Sequence, residues 1–193
     1  MNRSKTPRLL VTLAGMTDLR AGRAIGASHF DRLEPLLAQV AKPIQYVGGE
    51  VNAVTKEWGA AQVRWALMYP DAYEVGAPNQ GIQILYEVLN EQPDILAERS
   101  YAVWPDLEQA MRDSGVPQFT VDGHRALGDF DLLGISFATE LGYTNMLTAL
   151  DLAGIALHAK DRDIDAPLVV AGGHAAFNPE PIADFIDVAV LGD

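Results

Sequence analysis

From residue 63 onward, short apolar runs alternate with segments of helical period, and this alternation limits the fold more than any other feature of the chain. Residues 63–69 (VRWALMY) read as a buried strand, and residues 81–90 as a helix carrying Ile82, Leu85, Val88 and Leu89 on one side. Residues 101–104 follow as a second strand. Asp106-Leu107-Glu108-Gln109 has the form of a capping box, opening a helix that Ser114-Gly115 closes. Residues 132–136 form the third strand and residues 144–153 a helix ended by Gly154. Residues 167–171 are the fourth strand, 179–185 a short helix and 188–191 the fifth strand. Strands that are apolar almost throughout, with helices between them, belong to a parallel sheet covered on both faces. Right-handed crossovers then place the helices.

The expected fold is therefore α/β and doubly wound: a Rossmann-type, flavodoxin-like five-stranded parallel sheet in the order 2-1-3-4-5. Ahead of it, Leu33, Leu36, Leu37 and Val40 fall at helical spacing after Asp31, with Pro43 limiting the helix, and Gly48-Gly49 marks a turn. Residues 1–30, with dispersed arginines and no sustained period, read as a flexible tail. Three segments follow: the tail 1–30, an extension 31–62 with its helix and Gly-Gly turn, and an α/β domain 63–193.

Composition removes several function classes. The chain has 193 residues, 49% of them hydrophobic, which suffices for a real core. It has no apolar run long enough to span a membrane and no small-residue cleavage site after its basic start, so a soluble, cytoplasmic protein is expected. A net charge of −12 without a basic cluster after residue 32 disfavours nucleic acid as a partner. The chain has no cysteine, hence no ligands of its own for an iron–sulfur cluster. His29, His124 and His158 stand in unlike contexts and define no metal site, and no carboxylate pair has a spacing that marks catalytic residues.

In a doubly wound sheet, ligands bind beyond the carboxyl ends of the strands. The turns there are Asp71-Ala72-Tyr73-Glu74-Val75-Gly76, Ser136-Phe137-Ala138 and Gly172-Gly173-His174. All three mix small and polar residues, which lets backbone approach a ligand while hydroxyl or amide groups orient it. Asp71, Tyr73, Gly76, Ser136, Ala138, Gly172, Gly173 and His174 are the candidate cofactor-binding residues.

The same three turns, in the same order, resemble the D-x-H-x-x-G, S-x-L and G-G motifs of the cobalamin-binding domain of methionine synthase and methylmalonyl-CoA mutase. More closely, Tyr46-Val-Gly-Gly-Glu50, Tyr69-Pro-Asp-Ala-Tyr-Glu-Val-Gly76, Trp104-Pro-Asp106, Tyr143-Thr-Asn145 and Ala171-Gly-Gly-His-Ala-Ala-Phe-Asn-Pro-Glu-Pro181 resemble the N-terminal part of an uncharacterised family of radical S-adenosylmethionine (radical SAM) proteins. The resemblance covers residues 31–193. It implies a cobalamin-binding-like accessory domain that precedes a catalytic barrel, whose cysteines hold a four-iron, four-sulfur cluster and S-adenosylmethionine. With no cysteine, this chain alone is expected to be non-catalytic, its barrel partner lying in cis as in the family, or in trans.

Tyr73 stands where the cobalamin motif has its cobalt-ligating histidine. A phenol ordinarily loses its proton near pH 10, against about 6.5 for imidazole, so it is a poor replacement. Two readings stay open: a cobalamin site without a protein ligand below the metal, or a non-catalytic docking module whose pocket is filled by side chains such as Tyr73 and Phe137. A flavodoxin-type flavin site is the weaker third, because the first turn lacks a hydroxyl-rich phosphate loop.

Overall fold

A computed structural model describes residues 26–192. Its sheet has five strands, β1 (Val63–Ala72), β2 (Ile95–Ala102), β3 (Leu132–Ser136), β4 (Leu168–Gly172) and β5 (Val188–Ala189). All are parallel, in the order β2-β1-β3-β4-β5. This is the expected doubly wound, flavodoxin-like arrangement. The helices are α1 (Phe30–Leu37), the single turn α2 (Tyr73–Gly76), α3 (Gln80–Glu91), α4 (Pro105–Ser114) and α5 (Gly142–Leu152).

Alternate residues of each strand face opposite layers. Ala66 and Met68 of β1 join Leu133, Ile135, Val169 and Ala171 under Met146, Ala149 and Leu150 of α5. Leu67 faces the other way, packing with Ala97 of β2 beneath Ile82 and Tyr86 of α3. Asn79 caps α3 through its side chain, which accepts the Ile82 N–H at 3.1 Å. The extension lies outside α4: Leu33, Leu36, Leu37 and Tyr46 form one cluster with Leu107, Met111, Val116 and Phe119.

Part of the expected tail, residues 1–25, lies outside the described residues. Residues 26–30 are tied down. Ser28 bridges antiparallel to Arg125, the His29 N–H donates to His124 O at 2.7 Å, and Arg125 Nε donates to Gly26 O at 3.0 Å.

Three local expectations need correction. The second strand is Ile95–Ala102, where residues 101–104 were expected. Its middle, Glu98-Arg99-Ser100, is polar yet buried, so the strand carries no apolar signature. Each group is instead paired: Arg99 with Asp122, Glu98 with Arg125 and Thr120, and Ser100 Oγ with Phe119 O. Burial pushes the Glu98 carboxyl up from its ordinary value, against the pull of its Thr120 and Arg125 partners. The second correction concerns the capping box. Trp104 is the N-cap of α4 and Pro105 its first residue, a position that suits proline because no intrahelical partner awaits its missing N–H. Asp106 is already helical, and it accepts the N–H groups of Leu107 and Ala41 at 2.8 and 2.9 Å. Between β4 and β5 only the short 3-10 turns His174–Phe177 and Glu180–Ile182 form, where a helix over 179–185 was expected.

The β2 edge is not open. Ile95 O accepts from Lys56 Nζ at 2.7 Å, and Ala97 exchanges two hydrogen bonds with the Asn90 side-chain amide at 3.0 and 3.1 Å. The Arg99 N–H donates to Asp122 Oδ2 and Arg99 O accepts from the Val121 N–H, while Tyr101 O accepts from Gln118 Nε2. Beside α3, on the same face of the sheet, no helix among the described residues covers β3 to β5, which leaves an open cleft there. Among the described residues no helix is long and apolar enough to cross a membrane.

Candidate functional site

The candidate residues of the three turns face three different environments. Ser136 and Gly172 are partners in the β3–β4 register, so pairing alone brings the second and third turns together. They border the cleft left bare beside α3, a space of about 330 Å³ that is apolar in character. Leu67, Ile82 and Leu85 wall it, and Gly134, Ser136, Val170, Gly172 and Gly173 form its floor and rim. Gly134 lets the Trp65 ring pack closely over its backbone, since a Cβ there would fall 3.0 Å from Trp65 Cζ3. A Cβ on Gly172 would meet nothing within 4 Å, so that position opens directly onto the cleft.

Gly173 is constrained quite differently. Its φ of 90° lies where only glycine is at ease, and a Cβ would fall 2.6 Å from Phe137 O. The contact follows from the turn itself, in which the Phe137 N–H donates to Gly172 O at 2.8 Å and Phe137 O accepts the Ala175 N–H at 3.1 Å. Ala138 and His174 are exposed, the imidazole 6.3 Å from the Phe177 ring.

Tyr73 does not reach the cleft floor. The register slips between Tyr69 and Ala72 at the end of β1, and the single turn α2 then carries Tyr73 toward β2. Its ring stands edge-on to Tyr101, with 5.4 Å between centroids, in a cluster with Tyr69 and Val121. Its hydroxyl donates to the Glu50 carboxylate. Gly76 is buried in the same place, where a Cβ would fall 2.5 Å from Tyr101 Cδ1. Burial, with the Glu50 carboxylate adding to it, leaves the Tyr73 phenol pushed up to about 12.

A folded-state value raised above the ordinary 10 means stability is intact below pH 10 and is lost as pH climbs from 10 through 12. Burial raises Tyr101 in the same sense. The Tyr73→Phe variant should therefore lose less stability than the parent when urea unfolding at neutral pH is compared with unfolding near pH 11; equal losses would show that Tyr73 is not a source of the alkaline sensitivity.

Asp71 is exposed on the opposite side of the sheet from the α3 cleft, its Oδ1 accepting the Ala72 N–H at 2.7 Å. There it borders a second cleft, with Trp104, Glu108, Gln118 and Asn145. Of the sequence candidates, then, Ser136, Gly172 and Gly173 share one cleft, Tyr73 and Gly76 pack toward β2, and Asp71 faces elsewhere. Gly134 was not singled out in the sequence. The available signal was its position two residues before Ser136 on the same strand face.

The family model described as radical SAM proteins, N-terminal, matches residues 81–193, which takes in α3 and everything from β2 to β5. No curated protein and no solved structure matches the chain. With more than half its length matched, the chain belongs to the family of radical SAM proteins, as their N-terminal region.

Proposed function

We propose that this accessory domain holds a corrinoid whose nucleotide tail lies in the cleft over Ser136 and Gly172, with no side chain of this chain ligating the cobalt from below. The observation that carries the reading is the bare floor at Gly172. Gly134 on the adjacent strand is covered by the Trp65 ring, whereas the space over Gly172 is empty to 4 Å. A flat heteroaromatic group fits such a slot between Leu67, Ile82 and Leu85, and the Ser136 hydroxyl offers it one polar contact.

The donor set fits a corrinoid without a lower protein ligand. Tyr73 spends its hydroxyl on Glu50 and its ring on Tyr101, and a phenol pushed up to about 12 keeps its proton at neutral pH. A bound corrinoid supplies methyl-transfer or one-electron chemistry; the residues here orient the tail and keep water from it. The radical SAM catalytic domain, in cis or in trans, would supply the cluster and S-adenosylmethionine.

Gly172→Leu is the direct test, because a Cβ at this position meets nothing within 4 Å and the longer side chain takes up space in the cleft. The parent chain incubated with hydroxocobalamin should shift the visible spectrum and retain corrinoid through gel filtration. The variant should lose both while its thermal midpoint stays unchanged. An unchanged spectrum with the parent chain would overturn the reading.

A second reading is favoured by one observation. Ile84, Leu85 and Val88 of α3 are exposed beside the cleft, as is Val190 across it. This surface suits docking against the catalytic domain. Copurification with that domain that is lost on Ile84→Glu and Val88→Glu, together with failure to bind corrinoid, would establish docking as the sole role.

A further inference from the structure

The second cleft, at the carboxyl ends of β1 and β2, has an unusual donor–acceptor balance. It encloses about 260 Å³ and is bordered by Asp71, Trp104, Glu108, Gln118, Asn145 and Thr148. That volume suits a group the size of a side chain rather than a whole cofactor.

Gln118 is only 1% exposed. Its Nε2 donates to Tyr101 O at 2.9 Å and to Ser100 Oγ at 3.3 Å. Because a backbone carbonyl can only accept, the orientation of this amide is fixed, with nitrogen toward β2. Its oxygen is left over, and no donor among the described residues reaches it. Nor is that oxygen sealed in, since Gln45 Oε1 is the only fully enclosed side-chain atom without a partner among the described residues. The unpartnered end of Gln118 therefore opens onto the cleft the residue borders.

Asn145 is arranged by the same logic. Its Nδ2 donates to Pro70 O at 2.9 Å, which leaves its oxygen as the free end. Asp71 and Glu108 add carboxylates at the border, and Glu108 is held in place by Arg112 at 3.0 Å. Arg112 is occupied by Glu108 and Asp151, and Lys42 by Glu74, so the cations nearby are already engaged. Trp104, 44% exposed, has Lys42 Nζ 5.5 Å from its ring centroid, showing an indole face that accommodates positive charge. An anion would face the carboxylates of Asp71 and Glu108 with the Thr148 hydroxyl as a neutral donor, whereas a cationic donor can satisfy the amide oxygens and carboxylates together.

We propose that this cleft binds a protonated nitrogen group, a primary ammonium or a guanidinium, with its N–H donors on Gln118 Oε1 and Asn145 Oδ1 and its charge balanced by Asp71 and Glu108. The ligand is a small amine or a lysine or arginine side chain of a bound polypeptide; the chemistry recognised is the same. The site is separate from the α3 cleft, so its test stands apart from corrinoid binding.

The test follows the side-chain amide signals of Gln118 and Asn145 by nitrogen-15 NMR on the whole chain. Butylguanidinium, butylammonium and neutral butanol are titrated in parallel, with an arginine-containing and a lysine-containing tetrapeptide, both blocked at their ends, as further arms. Saturable shifts with the cations but not with butanol are expected, and weaker affinity by about tenfold in the Asp71→Asn/Glu108→Gln variant. Tighter binding of a tetrapeptide than of the matching small cation would identify a polypeptide source, and the reverse a small amine. No shift, shifts equal to those with butanol, or an affinity unchanged in the double variant would overturn the proposal. Both substituted residues lie at the border and not in the core, so the variant keeps the fold.

Discussion

Asp122→Ala lowers the unfolding free energy by about 3–5 kcal/mol, because it strands a buried guanidinium. Asp122 and Arg99 have side chains only 4% exposed each. One carboxylate makes three contacts: Oδ1 to Arg99 Nη2 at 2.7 Å, and Oδ2 to Arg99 Nε at 3.2 Å and to the Arg99 N–H at 2.7 Å. Truncation leaves the guanidinium in place over the Tyr86 ring, 4.2 Å from its centroid, with only a 3.4 Å contact to Asn52. Burial works against the charged form of Arg99, and Asp122 outweighs it, holding the guanidinium above its usual value. Without Asp122 the desolvation cost stands unopposed. The loss is read from chemical denaturation midpoints at constant slope. A loss below about 1 kcal/mol would mean that water reaches Arg99 freely. An Arg99→Met/Asp122→Leu double variant should recover most of the deficit, because removing both charges removes the penalty.

Gly173→Ala should cost about 3 kcal/mol, combining a φ of 90° that an L-residue resists with a Cβ 2.6 Å from Phe137 O and 3.0 Å from Phe137 N. The obstruction is the Phe137 backbone, so no rotamer change relieves it. Its neighbour supplies the control: Gly172→Ala should change stability by less than about 0.5 kcal/mol. Comparable losses at the two positions would show that the β4 turn tolerates side chains and that the Gly173 geometry is not needed. The pair also separates two roles that the string Gly-Gly conceals, one glycine making the turn and the other keeping space clear.

Where the sequence was legible, the reason is physical. β3 is readable residue for residue because it lies in the middle of the sheet and is covered by apolar residues on its neighbours. The five-strand order follows from the alternation of buried runs with helices. β2 was half hidden because an edge strand covered by a charged segment can bury Glu98 and Arg99, and periodicity of apolar residues is blind to charges that find partners elsewhere in the chain. In the candidate site, Ser136 and Gly172 come together because β3 and β4 are neighbours in register. Tyr73 departs from them because of the slip after Tyr69, a feature of backbone geometry that no residue type announces. The acceptor ends of Gln118 and Asn145 were invisible for a related reason. Which end of an amide is free depends on carbonyls contributed by Tyr101 and Pro70, far away in the chain.

The side-chain bonds along β2 also give the sheet a direction of growth. Lys56, Asn90, Asp122 and Gln118 occupy the outward amides and carbonyls of that strand, so a further strand approaching there has nothing left to bind. Val188–Ala189 carries no such row of plugs among the described residues. Whatever lengthens this sheet, whether more of the same polypeptide or the margin of another molecule, must be added beyond β5, and self-association by strand pairing is confined to that single flank.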